Sequence, residues 1–356
     1  MAYTDIDDPT AYFQTKLYTG TRANLNVTFD GNSDMSPNLV WVKDRTNTNN
    51  QIMFDSVRGI NKAILPNAAN AETTYTDSVT AFNSDGFTLG DDDEGQCNVD
   101  GNACASWNWK AGTSFTNDAS GTGIGSIDSA GSVNDTAGFS IVSYTGNGSS
   151  GATIKHGLST APKIIIAKNR QRAADWLVFS SSMSSNGDYT LFLQSTSAKD
   201  NSQDYWGDTA PTSSVFSVGN RQENNQSGEN IIAYCFSEVK GYSKFGSYIG
   251  NASTNGTFVY TGFKPAFAIF KKSAGTGSWA IQDNKRTPFN VQKKSLFANL
   301  SDAETDSTND AVDFLSNGFK FRSDTANYNT NGDTYIFMCF ASNPFTTSSG
   351  VPATAR

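Results

Sequence analysis

The chain has 356 residues, with 26 Lys and Arg against 34 Asp and Glu, for a net charge of −8. Charged residues are only 17%, while 24 Phe and 13 Tyr supply enough apolar surface for a core, so a disordered chain is excluded. The acidic balance argues against nucleic acid as a partner, and no run approaches the length of a membrane span.

The N-terminal stretch MAYTDIDDPTAYF lacks a basic region and an apolar core, so it is not read as a secretory signal. A first strand is expected in YFQTKL, ending at the turn signal Tyr18-Thr-Gly20. PNLVWVK follows at 37–43. A proline, five mostly apolar residues and a lysine read as a strand buried on both faces. QIMFD (51–55) reads as the next strand, and 67–79 as holding one short helical turn. In FNSDGFTLG (82–90), Asp85-Gly86 is a hairpin-turn dipeptide that returns Phe87 to the core. GNACASWNW (101–109) closes this series as a Gly-led strand.

The stretch 112–137 is rich in Gly, Ser, Asn and Asp and reads as a linker or long surface loop. Beyond it the same landmarks return in order. FSIVS precedes Tyr144-Thr-Gly146, then come PKIIIAK (162–168), DWLVF (175–179), SSVFSVG (213–219) and GENIIAYCF (228–236). They return again as YSKFGS, Tyr248-Ile-Gly250, PAFAIFK (265–271), SWAIQD (278–283), FLSNGFKFR (314–322) and GDTYIFMCF (332–340). A second short helical turn is expected in 299–312. The second and third series are 103–104 residues apart at every landmark, and the first and second 125–129 apart. Constant spacing predicts a threefold repeat of all-β sandwich units. The expected boundaries are an N-terminal extension (1–15), repeats at 16–112, 138–241 and 242–345, a linker or loop at 113–137, and a C-terminal tail (346–356).

Each candidate site has a bland reading beside it. His156, the lone histidine, has no nucleophile or acid motif around it and reads as a strand-end residue. The run Asp91, Asp92, Asp93 and Glu94 is a weak calcium candidate, because consecutive loop residues cannot all face one ion. No other metal or cofactor is expected. Asp55 with Arg58, and Asp283 with Arg286, read as ion pairs closing turns. Lys43, Lys168 and Lys271 read as sheet-edge lysines that block unwanted pairing. Trp206, Tyr205 and Trp107 are the ligand-binding candidates, since an aromatic face beside Asp and Asn can hold a sugar ring. Cys97 and Cys104 are close enough in sequence to meet across a hairpin, which leaves a disulfide open; four cysteines make no framework. No paired carboxylates, phosphate loop or zinc signature suggests an enzyme.

The segments YFQTKLYTG, LVWVKDR, FNSDGFTLG, HGLSTAPKIIIAKNR, IAYCFSEVKGYSKFGSYIGN and FVYTGFKPAFAIFKK resemble a domain-of-unknown-function family of tailed-bacteriophage virion proteins, especially marine ones. The resemblance covers about residues 11–345. It implies a lectin-like, concanavalin-like sandwich fold and transfers no catalytic residues. It further implies a tail-associated fibre or receptor-binding protein on the outer virion surface, made in the host cytoplasm. Its partners would be other virion proteins and host surface polysaccharide, with a homo-oligomer, a trimer, as the assembly. The alternative is an architectural capsid decoration protein; the absence of a coiled-coil stalk argues against a long fibre and suits a compact tail-associated receptor-binding protein or a head-decorating one.

Overall fold

The computed structural model describes residues 3–184, 186–202 and 204–353. Strand makes up 41% of the chain and helix 4%, so the protein is all-β. Three large antiparallel sheets organise it. The first runs Phe13–Thr19, Ala103–Trp109, Leu39–Asp44, Ile52–Asp55, Gly59–Ile64 and Thr73–Thr74. The third repeats that order as Ser243–Ile249, Thr334–Pro344, Phe263–Lys272, Ala280–Asp283, Lys294–Phe297 and Thr305–Asp306. The second carries Phe139–Thr145, Asn230–Phe236, Ile164–Asn169, Leu177–Ser180 and Leu191–Phe192 in the same order.

The second sheet also has two additional strands, Thr113–Asn117 and Ser129–Asn134, at its edge. The stretch expected to be a linker or loop is therefore mostly built structure. Its Thr and Ser residues suit an edge strand, whose outer face stays wet. Residues 67–79 form the strand Thr73–Thr74 and no helical turn; 299–312 contains one 3₁₀ turn, Thr308–Asp310.

Against each large sheet lies a small one: Leu25–Val27, Phe87–Leu89 and Val79–Phe82; then Ala152–Lys155 and Val215–Val218; then Phe258–Tyr260, Gly318–Phe321 and Val312–Leu315. Alternation along a strand sends successive side chains to opposite faces. In Leu39–Asp44, Val40 and Val42 enter a core beneath the small sheet with Phe87. Leu39 and Trp41 point the other way, into a core that all three large sheets share. Ile164 with Ile166, and Phe267 with Ile269, do the same. The both-face burial of these runs thus has two separate causes: a private core and a common one.

Trp109, Phe236 and Phe340, the last residues of the three Gly-led runs, meet in that common core. Their ring centroids lie 5.7–6.2 Å apart. Each such aromatic pair contributes about 0.5–1.5 kcal/mol beyond its area.

The junctions between large sheets follow one cyclic pattern. Glu72 N–H donates to the Arg170 carbonyl (2.8 Å), Lys199 N–H to that of Ser273 (2.9 Å), and Glu304 N–H to that of Arg45 (2.9 Å). Trp176 Nε1 donates to the Leu65 carbonyl and Trp279 Nε1 to that of Phe192, both at 2.9 Å. Gln51 stands at the matching place in the first sheet and donates to the Phe297 carbonyl (2.5 Å). First binds second, second binds third, and third binds first, which closes a ring.

Gly86 and Gly318 both stand where a Cβ would overlap a carbonyl of the facing strand, at Val27 and Val259, and differ in backbone conformation. Gly86 has φ +99°, the left-handed turn conformation expected of its dipeptide. Gly318 sits inside a strand, where a Cβ would overlap the Val259 carbonyl; close approach, not turn geometry, requires it.

Candidate binding groove between the first and third sheets

The residues singled out in sequence for ligand binding lie inside. Trp107 is 0% exposed, edge-on to Trp41, with its indole N–H donating to Asp283 (3.1 Å). Trp206 is 1% exposed and packs on Phe179. Tyr205 is 7% exposed, against Phe192 with the Arg221 guanidinium over its ring. Neighbouring side chains take up their faces, so none presents a platform to a sugar.

The acidic run does not converge on a point either. Asp92 is buried at φ +51°, and its carboxylate accepts from the N–H groups of Cys97 and Asn98 (both 2.8 Å) and from Ser78 Oγ (2.7 Å). It closes its own loop. Asp91 and Asp93 are exposed, and Asp93 pairs with Arg22 at 3.5 Å. Cys97 and Cys104 are free thiols, both buried.

His156 is buried, accepts at Nδ1 from Leu158 N–H (3.2 Å) and donates from Nε2 to the Thr212 carbonyl (3.1 Å). Burial lowers its pKa to about 4, against weaker upward pulls from the Thr212 bond and Asp135.

The three lysines are not at sheet edges. Their strands lie inside the sheets, and all three side chains are fully buried. Each ammonium is held by main-chain carbonyls: Lys43 by Asp44 and Asn47, Lys168 by Asn169 and Arg172, Lys271 by Thr196, Ser197 and Lys272. Apolar packing on both sides of the strand leaves the lysine side chain no route to water. Burial brings Lys43 and Lys168 down to about 8 and Lys271 to about 7.

The Asp-x-x-Arg pairs close their turns and also bridge sheets. Asp55 Oδ1 accepts from the N–H groups of Val57 and Arg58, and Oδ2 from Arg58 Nε (2.5 Å). Arg58 continues to Glu72 (3.1 Å), which holds Arg170 of the second sheet through two bonds. Asp283, Arg286, Glu304 and Arg45 repeat this between the third and first sheets.

An open concavity of mixed polar lining lies elsewhere, between the first and third sheets. It comprises two adjoining hollows of about 290 and 260 Å³ that share Asn284, Lys285, Ser342 and Asn343. One wall is the loop of Asp30, Gly31 and Asn32. Gln14 fixes that loop, accepting from Gly31 N–H and donating to the Thr10 and Ser33 carbonyls (all 2.9 Å). The other wall is the turn after Asp283, whose Oδ1 accepts from Lys285 and Arg286 N–H. Lys285 crosses the groove to Asp30 (2.8 Å), and Lys16 reaches Asp30 at 3.3 Å. Burial alone would raise the Asp30 carboxyl; Lys285 and then Lys16 outweigh it and leave it below the usual range.

The side-chain amides of Asn32, Asn284 and Asn343 bond to no described residue. An amide offers donors and an acceptor together, which matches a hydroxyl group. The further hollow is lined by Pro288, Asn290, Gln292 and Phe314. Between Pro288 and Asn290 stands Phe289, 67% exposed. Sequence reading missed this site, because the residues come from six separated segments. The available signal was TPFN (287–290), an apolar ring inside a polar turn.

An all-β protein of sandwich-like sheet pairs, with a polar groove between two of them, is the class these features define. The chain belongs to the family described as Domain of unknown function (DUF7483), whose model matches residues 8–344. No curated protein and no solved structure matches it. Among the described residues no helix is long and apolar enough to cross a membrane.

Proposed function

We propose that the protein is a non-enzymatic binding protein of a bacteriophage virion that holds host surface glycan in the groove between its first and third sheets. The observation that carries this reading is the set of free amides of Asn32, Asn284 and Asn343 in one groove, with the exposed Phe289 next in sequence to Pro288 and Asn290 of its lining. Polar groups of mixed donor and acceptor character fix sugar hydroxyls, and an exposed ring stacks on the apolar face of a pyranose. The three sheet pairs are tandem lectin-like sandwich units in this reading, with boundaries near 16–112, 138–241 and 242–345. Display on the outer virion as a trimer would multiply a weak single-site affinity.

The test is binding of the intact protein to surface polysaccharide from marine bacteria, including cyanobacteria. Asn284→Ala and Phe289→Ala should each weaken it tenfold or more with unchanged thermal melting. Absence of binding to any such cells or polysaccharide, together with labelling confined to the capsid shell, would leave the architectural decoration role instead.

A further inference from the structure

The small sheet of the third sandwich ends on Phe258–Tyr260, whose outer edge pairs with no strand among the described residues, though the Tyr260 hydroxyl meets that of Tyr3 at 2.7 Å. Thr257 accepts from Phe321 N–H (3.2 Å), and Thr261 N–H donates to the Asn317 carbonyl (3.0 Å). Residues alternate in the side to which an antiparallel strand turns its peptide groups. Phe258 and Tyr260 therefore turn theirs outward, and no described residue bonds to them there.

The matching strand in the second sandwich is Ala152–Lys155. Ile154 lies opposite Phe216 as Val259 lies opposite Phe319, so Thr153 and Lys155 are the counterparts of Phe258 and Tyr260. There the edge is covered by the chain's own insert. The N–H groups of Ser126 and Ile127 donate to the Thr153 carbonyl (2.8 and 3.1 Å), and Thr153 N–H donates to Ser126 Oγ (2.8 Å). Ile127 forms a parallel bridge to Ile154 and enters the second core. Only residues 237–242 separate the second and third large sheets, too few to supply such a cover.

The side chains differ in the same direction. Phe258 is 45% exposed and Tyr260 54%, with Ile249, 62% exposed, beside them through the Thr257 Oγ bond to its carbonyl (2.8 Å). The first sandwich has exposed Asn26 and Thr28 at these positions. Exposed edges are ordinarily blunted with charge, proline or a covering segment, and this one carries aromatics instead.

We propose that strand Phe258–Tyr260 docks an extended segment of a partner protein. The segment adds as a parallel strand and presents a small hydroxyl residue followed by a β-branched apolar one, as Ser126-Ile127 does. Main-chain bonds supply the register, and Phe258, Tyr260 and Ile249 flank the apolar side chain. The inference is independent of glycan binding in the groove.

The probe is a labelled synthetic peptide of residues 121–131, GTGIGSIDSAG, titrated into the intact protein with fluorescence anisotropy as the readout. Saturable binding is expected. Phe258→Pro removes an outward N–H that no sheet bond uses and should weaken binding at least tenfold at unchanged melting temperature. Tyr260→Asp provides a second variant should the proline unfold the sheet, with the same loss expected. No saturable binding, or binding that both variants retain, overturns the proposal. Self-association of the protein that Tyr260→Asp abolishes, without peptide binding, would overturn it in favour of a second copy at this edge.

Discussion

The phenol of Tyr234 donates to Oδ2 of Asp55 at 2.7 Å, across 179 positions of sequence and from one large sheet to the next. The same carboxylate oxygen is bound to Arg58, and neither member of the ion pair reaches solvent. In the third sheet Asp283 receives Trp107 in the place of Tyr234. In the second, Ser180 and Met183 stand where the pair would be, and Met338 stands opposite, in the common core. Two of three junctions therefore carry a buried ionic clamp, and at the third the apolar Met183 and Met338 stand in its place.

Breaking that clamp should cost more than replacing it. Asp55→Ala takes from the buried Arg58 charge its closer carboxylate and leaves only Glu72, and is expected to lower stability by about 3 kcal/mol. Tyr234→Phe loses one bond to a charged acceptor, about 1.5–3 kcal/mol. The double variant Asp55→Ser with Arg58→Met, which copies the second sheet, should be milder than Asp55→Ala alone. Urea unfolding at neutral pH ranks the three; a double variant as damaging as Asp55→Ala contradicts the account.

Lys271 sets a stability difference on the alkaline side. Its folded pKa is lowered to about 7 by burial, from an ordinary 10.5. Between those values the unfolded chain holds the proton and the native one releases it, so stability rises with pH through the window. Relative to Lys271→Met, the wild type should gain on the order of 4 kcal/mol from pH 7 to pH 10.5. The comparison cancels the buried tyrosines and thiols, which act oppositely. A constant difference across that range would mean that the ammonium is not desolvated.

His156 acts in the acid range. Its folded pKa of about 4 lies below the unfolded 6.5, so the unfolded chain binds the extra proton between them and stability falls as pH falls. The loss approaches about 3 kcal/mol at pH 4. His156→Gln should lack this component of the acid slope, as read from denaturant midpoints at pH 7, 5.5 and 4. Parallel slopes in both proteins would remove the assignment.

All four cysteines are buried free thiols, and burial raises their pKa values. A thiol-reactive dye should find none in the native protein and four after unfolding without reductant. Fewer than four on unfolding would point to a disulfide.

The all-β architecture was legible in the sequence, because proline-led apolar runs and Asp-Gly turns are local signals. Val40 and Trp41 show where legibility stops. Both read as buried, but their destinations, a private core and the common one, depend on which other segment lies over each face. Lys43 shows the same limit from the polar side: a terminal lysine reads as exposed until the chain on both sides closes over it. The groove was invisible for a related reason. Asn32, Asn284 and Asn343 are ordinary turn residues until the first and third sheets meet.

The sequence by itself determined the proline-led and Gly-led strands, the two-faced burial of the former and the turn that delivers Phe87, since each depends on residue type and alternation over a few positions. Tertiary structure alone decided that Trp109, Phe236 and Phe340 meet, that Tyr234 reaches Asp55, and that Trp107 and Trp206 are packed inside while Phe289 stands in solvent. A side chain carries its chemistry locally, but its exposure and its partner are set by segments more than a hundred residues away.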